Sequence, residues 1–207
     1  MISAPDEQAT GKGSARATAQ RKRILCAARK CFVDRGFHAA SMATIAQTAE
    51  MSPGLIYRYF RSKNEIILAI IDEQLEVARA RIGELSDAGE LAALIAASFD
   101  STSRGDEERL SAPLFLEMSA EATRDPQIAS ALRSFDATIR GELARALARS
   151  REEGGYGVPN ARAMGRALMF MCIFEGLKVR EAREPHLDRK LLESALNDVL
   201  VNLFRPQ

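Results

Sequence analysis

Between Ser52 and Lys63 the chain reads SPGLIYRYFRSK, a span that crowds the phenols of Tyr57 and Tyr59, the guanidinium groups of Arg58 and Arg61, and the Lys63 ammonium together. Such groups donate hydrogen bonds to phosphate oxygens and hold a protein in register on a nucleic-acid duplex. Ser52 and Pro53 open a helix here. The serine hydroxyl accepts an orphan backbone N–H, and proline at the first helical position lacks a donor that would have no partner anyway. At about 100° per residue, Ile56 and Phe60 share a face suited to burial, while Gly54, Tyr57 and Arg58 point elsewhere. With Ile56 and Phe60 filling the inward positions, the tyrosines are expected to serve another task, core aromatics being the alternative. Arg58 and Arg61, taken singly, fit a solvated helix face equally well.

Little other chemistry competes. There are three cysteines and two histidines, without the spacing of a structural metal site. No nucleophile is matched to a base, and no glycine loop is built to cradle a phosphate. Glu117 and Glu121, one helical turn apart, are the best acid–base pair available, and a poor one. The expectation is a binding protein and not an enzyme, with neither cofactor nor metal.

The elements that must position these groups are announced by their caps. Ser41 precedes a helix of about two turns whose apolar residues Met42, Ile45, Ala46 and Ala49 recur at three- and four-residue steps. Glu50 and Met51 form a short turn into the helix at Pro53. Ser62-Lys63-Asn64-Glu65 predicts a capping box ahead of the apolar run Ile66 to Ile71. Upstream, Arg21 to Gly36 carries the stripe Ile24, Ala28, Cys31 and Phe32, with Gly36 as its stop. Together these helices read as a helix-turn-helix. Charge points the same way: residues 1–64 hold eleven Lys/Arg against four Asp/Glu, a balance of +7, and the whole-chain +1 leaves −6 for the rest. A basic end of this kind gains affinity for DNA through counterion release.

The tract SPGLIYRYFRSKNEII resembles the recognition helix and following helix of the tetracycline-repressor (TetR) family of bacterial transcription regulators, and the resemblance runs from about Arg21 to Ile71. It implies that Tyr57, Tyr59 and Lys63 contact phosphates. Gly54, Leu55 and Arg58 then face base edges in the major groove, Leu55 against a thymine methyl and Arg58 toward guanine. Ser41, Thr44 and Ser52 complete the DNA-binding set. Ala43 stands where the family often has a charged residue, leaving Ser41 and Thr44 as the polar candidates of the first motif helix. Glu50 stands where the family usually has glycine, so this turn must find another geometry or accept strain.

The remainder divides into an arm and a body. Residues 1–20 are rich in Ala, Thr, Ser and Gly and are expected to be a disordered basic arm, either lying against DNA or simply solvated. They lack the apolar core of a secretory signal. Residues 21–65 form the DNA-binding domain and residues 66–207 the body. From Ile66 onward only helical periodicity appears, broken near 86–88, 101–106, Asp125-Pro126, 154–159 and Glu184-Pro185. This predicts an all-α chain: a three-helix DNA-binding domain joined to about six helices, one of them shared. The longest apolar run, Ala167 to Phe174, is eight residues long, too short to span a membrane. Cys26, Cys31 and Cys172 are expected in the core, and the compartment is expected to be the reducing cytoplasm.

Helices over Met164–Arg180 and Leu191–Phe204 are more apolar than one buried face requires. The resemblance implies that the last two helices of each subunit pair with the same two of a second copy. Leu168, Cys172, Leu177, Leu192, Ala195, Leu196, Val199 and Leu203 are the residues expected at that interface, internal core being the alternative. It also implies a cavity for a small effector, with Phe115, Met118, Glu121, Phe135, Met164, Met171 and Phe174 as candidates. The same Met/Phe stripe serves equally as core. Glu121 either receives a cationic ligand with Glu117 or pairs with Arg124 on the surface. The function implied is a homodimeric, ligand-responsive regulator, a repressor released from a near-palindromic operator by its effector. Activation is equally compatible with these residues.

Overall fold

Caps and turns dictated by local chemistry set the helix boundaries. The computed structural model describes residues 7–84, 88–97 and 110–206, and every regular element among them is an α-helix. The chain divides into two units, Met1–Ile70 and Ile71–Gln207.

The first unit contains α1 (Glu7–Arg35), α2 (Met42–Thr48), α3 (Pro53–Tyr57) and the start of α4 (Lys63–Gly83). The apolar stripe of α1 is buried as its spacing predicts: Ile24, Ala28, Cys31 and Phe32 all lie in the core with Ile45, Ala46, Ile56, Phe60, Ile66, Ile67 and Ile70. Each large apolar side chain taken fully out of water contributes about 1.5–3 kcal/mol, which is what holds such short helices in place. Gly36, at φ 78, closes α1 by donating its N–H to the Phe32 carbonyl at 2.9 Å.

Ordering of the arm departs from expectation. Residues 1–6 lie outside the described residues, but from Glu7 the chain is helical and continuous with α1. Residues 15–19 are exposed, so burial does not order them. Once the core holds the helix beyond Ile24, each further residue adds a backbone hydrogen bond for the ordering of that residue alone, and Ala15, Ala17, Ala19 and Gln20 are good helix formers. A composition without apolar residues removes burial and leaves helicity.

The turn at Glu50 resolves in favour of strain. Glu50 sits at φ 51, alone among the described non-glycine residues in having positive φ. Its N–H reaches the Gln47 carbonyl at 3.0 Å while the Met51 N–H reaches Ala46 at 2.9 Å, the paired bonds of a Schellman C-cap that glycine normally supplies. The Glu50 carboxylate accepts from the Arg23 guanidinium at 2.9 Å across an exposed ion pair. Left-handed geometry costs a non-glycine residue about 1 kcal/mol, and such a pair returns less than about 1 kcal/mol. Glu50→Gly is therefore expected to keep the turn and to raise stability by a few tenths of a kcal/mol up to about 1 kcal/mol, as read from denaturant unfolding. A loss of stability would mean the ion pair, not the backbone, dominates.

The second unit holds the rest of α4 with α5 (Ala88–Ala97), α6 (Ala112–Ala122), α7 (Pro126–Ala148), α8 (Asn160–Arg183) and α9 (Arg189–Leu203). That is the expected set of helices with one shared. The anticipated breaks near 86–88 and 101–106 fall largely outside the described residues. Ser111 caps α6 through the Leu114 N–H, Asp125 caps α7 through Gln127 and Ile128 with Pro126 in the first turn, and Asp188 caps α9. The core joins α5, α7, α8 and α9 through Leu91, Leu143, Leu147, Ala167, Leu196 and Leu200. The α7–α8 connection folds back on it. Gly154 and Gly157 take positive φ, Val158 donates to the Leu147 carbonyl, and Tyr156 sets its ring edge-on to Phe204 at 4.8 Å.

Candidate nucleic-acid interface

Two serine caps fix the helices of the motif. Ser41 Oγ accepts the Thr44 N–H at 3.0 Å and lies 2.8 Å from the Thr44 hydroxyl, so the two polar candidates of α2 form one exposed cluster. Ser52 Oγ accepts the Leu55 N–H at 3.3 Å and starts α3. The third cap is shifted from expectation. Ser62 Oγ accepts the Glu65 N–H, but the Glu65 carboxylate reaches the Arg61 N–H at 2.7 Å, one residue ahead of the reciprocal capping-box donor.

α3 is shorter than its pattern suggests, ending at Tyr57, with Arg58 to Phe60 closing as a turn whose N–H groups return to Leu55 and Ile56. Ile56 and Phe60 are buried, as their spacing predicts, and Tyr57 is 53% exposed. Gly54 and Arg58 are exposed, and Leu55 and Tyr59 are half-buried. A Cβ added at Gly54 would meet nothing within 4 Å, so no neighbour in the chain requires glycine there. Free space, a helix start and an exposed phenol occupy the same short helix. That is the arrangement needed for a backbone and its donors to approach a polyanion.

Lys63 behaves differently from the rest of the set. Its ammonium donates to the carbonyls of Phe37 at 2.7 Å and His38 at 3.2 Å, and sits 4.7 Å from the centroid of the Phe37 ring. Two further cations attach to the motif without a signal in the sequence: Arg21 lies over the Phe60 ring at 4.4 Å, and Arg23 holds Glu50. Cap spacing and helical periodicity carry no information about such distant pairs.

In the second unit the expected interface residues separate into two groups. Leu192 and Leu196 are buried in the subunit's own core, and Leu177 and Leu203 pack against it, because these positions recur every three or four residues on the faces that meet α5, α7 and α8. Leu192 and Leu196 thereby take the core alternative, while Leu177 and Leu203 are half-buried. Leu168 and Val199 are among the exposed large apolar side chains, and Ala195 and Cys172 are exposed as well. Cys172 is thereby corrected from core to surface. Met164, expected in an effector cavity, is 51% exposed and stands one turn from Leu168 on the outer face of α8.

The other effector candidates lie on α6, α7 and α8, which pack on one another. Met118 and Glu121 are buried, while Phe115, Phe135, Met171 and Phe174 are half-buried. Glu121 is not the surface partner of Arg124: the carboxylate is buried, and the Arg124 guanidinium donates to the Ala120 carbonyl at 3.1 Å. Burial pushes the Asp136 carboxyl above its usual range against the pull of Arg140, and Glu175, an exposed residue, is raised by partial desolvation and by repulsion from Asp136. These two acids from α7 and α8 therefore feel one another.

Residues 24–70 match the family described as bacterial regulatory proteins, tetR family, and residues 87–205 match the BetI-type transcriptional repressor C-terminal family. The chain is 35% identical over 164 residues to the HTH-type transcriptional regulator UidR of Escherichia coli K12, covering 79% of this chain and 83% of that protein. Among solved structures it resembles Salmonella enterica GusR, at 32% identity and a TM-score of 0.67, over 90% of this chain and 95% of that one. A putative transcriptional regulator from Saccharomonospora viridis in complex with choline shares the fold at 20% identity and a TM-score of 0.67, over 89% and 96% of the two chains. No helix among the described residues is long and apolar enough to cross a membrane. The chain belongs to the tetR family of bacterial regulatory proteins and is a DNA-binding transcriptional regulator, not an enzyme.

Proposed function

We propose that the chain acts in the cytoplasm as a homodimeric, ligand-responsive repressor that leaves a near-palindromic operator when a small effector binds its body. The observation that carries the dimer is a pair of exposed apolar ladders at four-residue steps. Met164, Leu168 and Cys172 line one face of α8, and Leu191, Ala195 and Val199 line one face of α9. The adjacent face of α9, about 100° around the helix, is spent on the core through Leu192, Leu196 and Leu200. An outward second stripe on each of the last two helices suits an isologous interface between copies of this chain. Two-fold pairing presents two copies of α3 to successive half-sites.

On DNA, Tyr57 and Tyr59 contact phosphates, Gly54, Leu55 and Arg58 approach base edges, and Ser41, Thr44 and Ser52 add hydroxyls from the capped starts of α2 and α3. The effector site lies among α6, α7 and α8, around Phe115, Met118, Glu121, Phe135, Met171 and Phe174. Release requires only that the ligand bind the non-operator state better, by a coupling of about 1–3 kcal/mol.

Leu168→Glu tests the assembly. Sedimentation at micromolar concentration is expected to show a dimer for the native chain and a monomer for the variant, with thermal stability of the subunit retained. A native chain that sediments as a monomer would remove the reading. Recovery and sequencing of genomic fragments bound at moderate salt tests the rest, a near-palindromic consensus being the expected result.

A further inference from the structure

We propose that Arg21 holds a DNA phosphate while its guanidinium rests on the face of the Phe60 ring. The proposal rests on the DNA-binding assignment and adds to it a contact from α1, at a residue ahead of the matched segment 24–70. α1 leaves the core at this point. Ile24 and Leu25 are buried, Arg21 stands one turn before both, and residues 15–19 on its other side are exposed. A long side chain at that rim can touch the domain and still reach beyond it. What Arg21 touches is the closing turn of α3: its guanidinium carbon lies 4.4 Å from the centroid of the Phe60 ring. Phe60 follows Tyr59 directly and returns its N–H to the Ile56 carbonyl at 3.0 Å, so the cation is attached to the end of the recognition helix.

An aromatic face attracts a cation through its quadrupole and offers no lone pair. The five guanidinium N–H donors therefore still require acceptors. Among the described residues none accepts from Arg21, which is exposed and interacts with the Phe60 ring alone. Arg23, two residues on, shows the contrast, since the Glu50 carboxylate accepts from it at 2.9 Å. Resting on the ring also restricts the Arg21 side chain before any ligand arrives. A phosphate then meets a planar fork already in place, and less rotamer freedom is lost when the contact forms. Were the cation only a cover for Phe60, an uncharged side chain of the same reach would serve equally well.

The experiment compares the native chain with Arg21→Met, whose unbranched stem still covers the ring and whose charge is gone. Binding to a short random-sequence duplex is measured between about 50 and 200 mM salt, with thermal unfolding followed on the same samples. A phosphate contact predicts native unfolding and a slope of log affinity against log salt shallower by about 0.9 for each copy of Arg21 on the duplex, which is a loss of about five- to tenfold per copy near 0.1 M salt. A native slope in Arg21→Met overturns the proposal, leaving Arg21 as a cover for the ring and the DNA-binding assignment intact. A native chain that binds no duplex overturns both. Should Arg21→Met fail to fold, the native protein decides. Its arginines are modified with phenylglyoxal with and without the duplex and followed by mass spectrometry, exposed Arg151 in the α7–α8 connection serving as the reference. Slower modification of Arg21 in the presence of the duplex, with Arg151 unchanged, supports the contact, and equal rates at Arg21 overturn it.

Discussion

Gly54→Leu is expected to fold at least as stably as the native protein and to lose operator binding by about 100-fold or more, close to 3 kcal/mol. The two halves of this expectation come from the same fact. A Cβ at position 54 meets nothing within 4 Å, and Gly54 is not among the residues held at positive φ. Leucine therefore brings no internal clash, and replacing glycine inside a helix relieves about 0.5–1 kcal/mol of backbone entropy cost. The open volume beside Gly54 lies next to exposed Tyr57 and Arg58, where the duplex is proposed to approach. Four extra carbons there hold the helix start away from its phosphates and base edges. Fluorescence anisotropy with a genomic fragment recovered by selection reads the affinity, and thermal unfolding reads the fold. Native-like binding by Gly54→Leu would place the interface on another face.

Phe204→Ala is expected to cost about 3–5 kcal/mol of stability, and to lower the unfolding midpoint of the Ile71–Gln207 unit by about 10–17 °C. Phe204 is buried at the end of α9, edge-on to Tyr156 at 4.8 Å and tilted against Phe170 at 5.8 Å. It thereby ties the α7–α8 connection and the middle of α8 to the last helix. Truncation leaves a cavity whose walls come from three segments, and a site built that way collapses poorly. Val201→Ala, on the exposed side of the same helix, is the control and should change stability by less than about 0.5 kcal/mol. Circular dichroism against denaturant measures both, and equal losses would show that the aromatic cluster does not organise this end of the body.

What the sequence displayed was what local chemistry determines. Ser41, Ser52, Ser111, Asp125 and Asp188 cap helices through donors two or three residues away, so the starts of α2, α3, α6, α7 and α9 can be inferred from short windows. The inward placement of Ile24, Phe32, Ile56 and Phe60 follows from period alone. Lys63 and Arg23 show where such inference stops: their partners lie 26 and 27 residues away, and nothing in either window points to them. Period also fails to say which of two apolar faces meets the same chain. Leu192 and Leu196 went inward while Leu191 and Val199 stayed out, and a surplus of apolar residues distributes between core and surface only when the neighbouring helices are known. The helicity of residues 7–20 was hidden for another reason, because a helix carried by its continuation needs no apolar stripe of its own, and residues 15–19 are exposed.

The chain contains three tyrosines and no tryptophan. Tyr57 and Tyr59 flank the end of the recognition helix, whereas Tyr156 is buried against Phe204 in the other unit. Intrinsic emission is thus divided between the two units without a label and without an indole to drown it. A protein carrying Tyr57→Phe and Tyr59→Phe retains a single phenol that reports only on the packing of the body. A protein carrying Tyr156→Phe retains two that report on the end of α3, the surface proposed to meet the duplex. Optical signals from the two variants can in this way follow the packing of the body and the state of the DNA-binding unit as separate events.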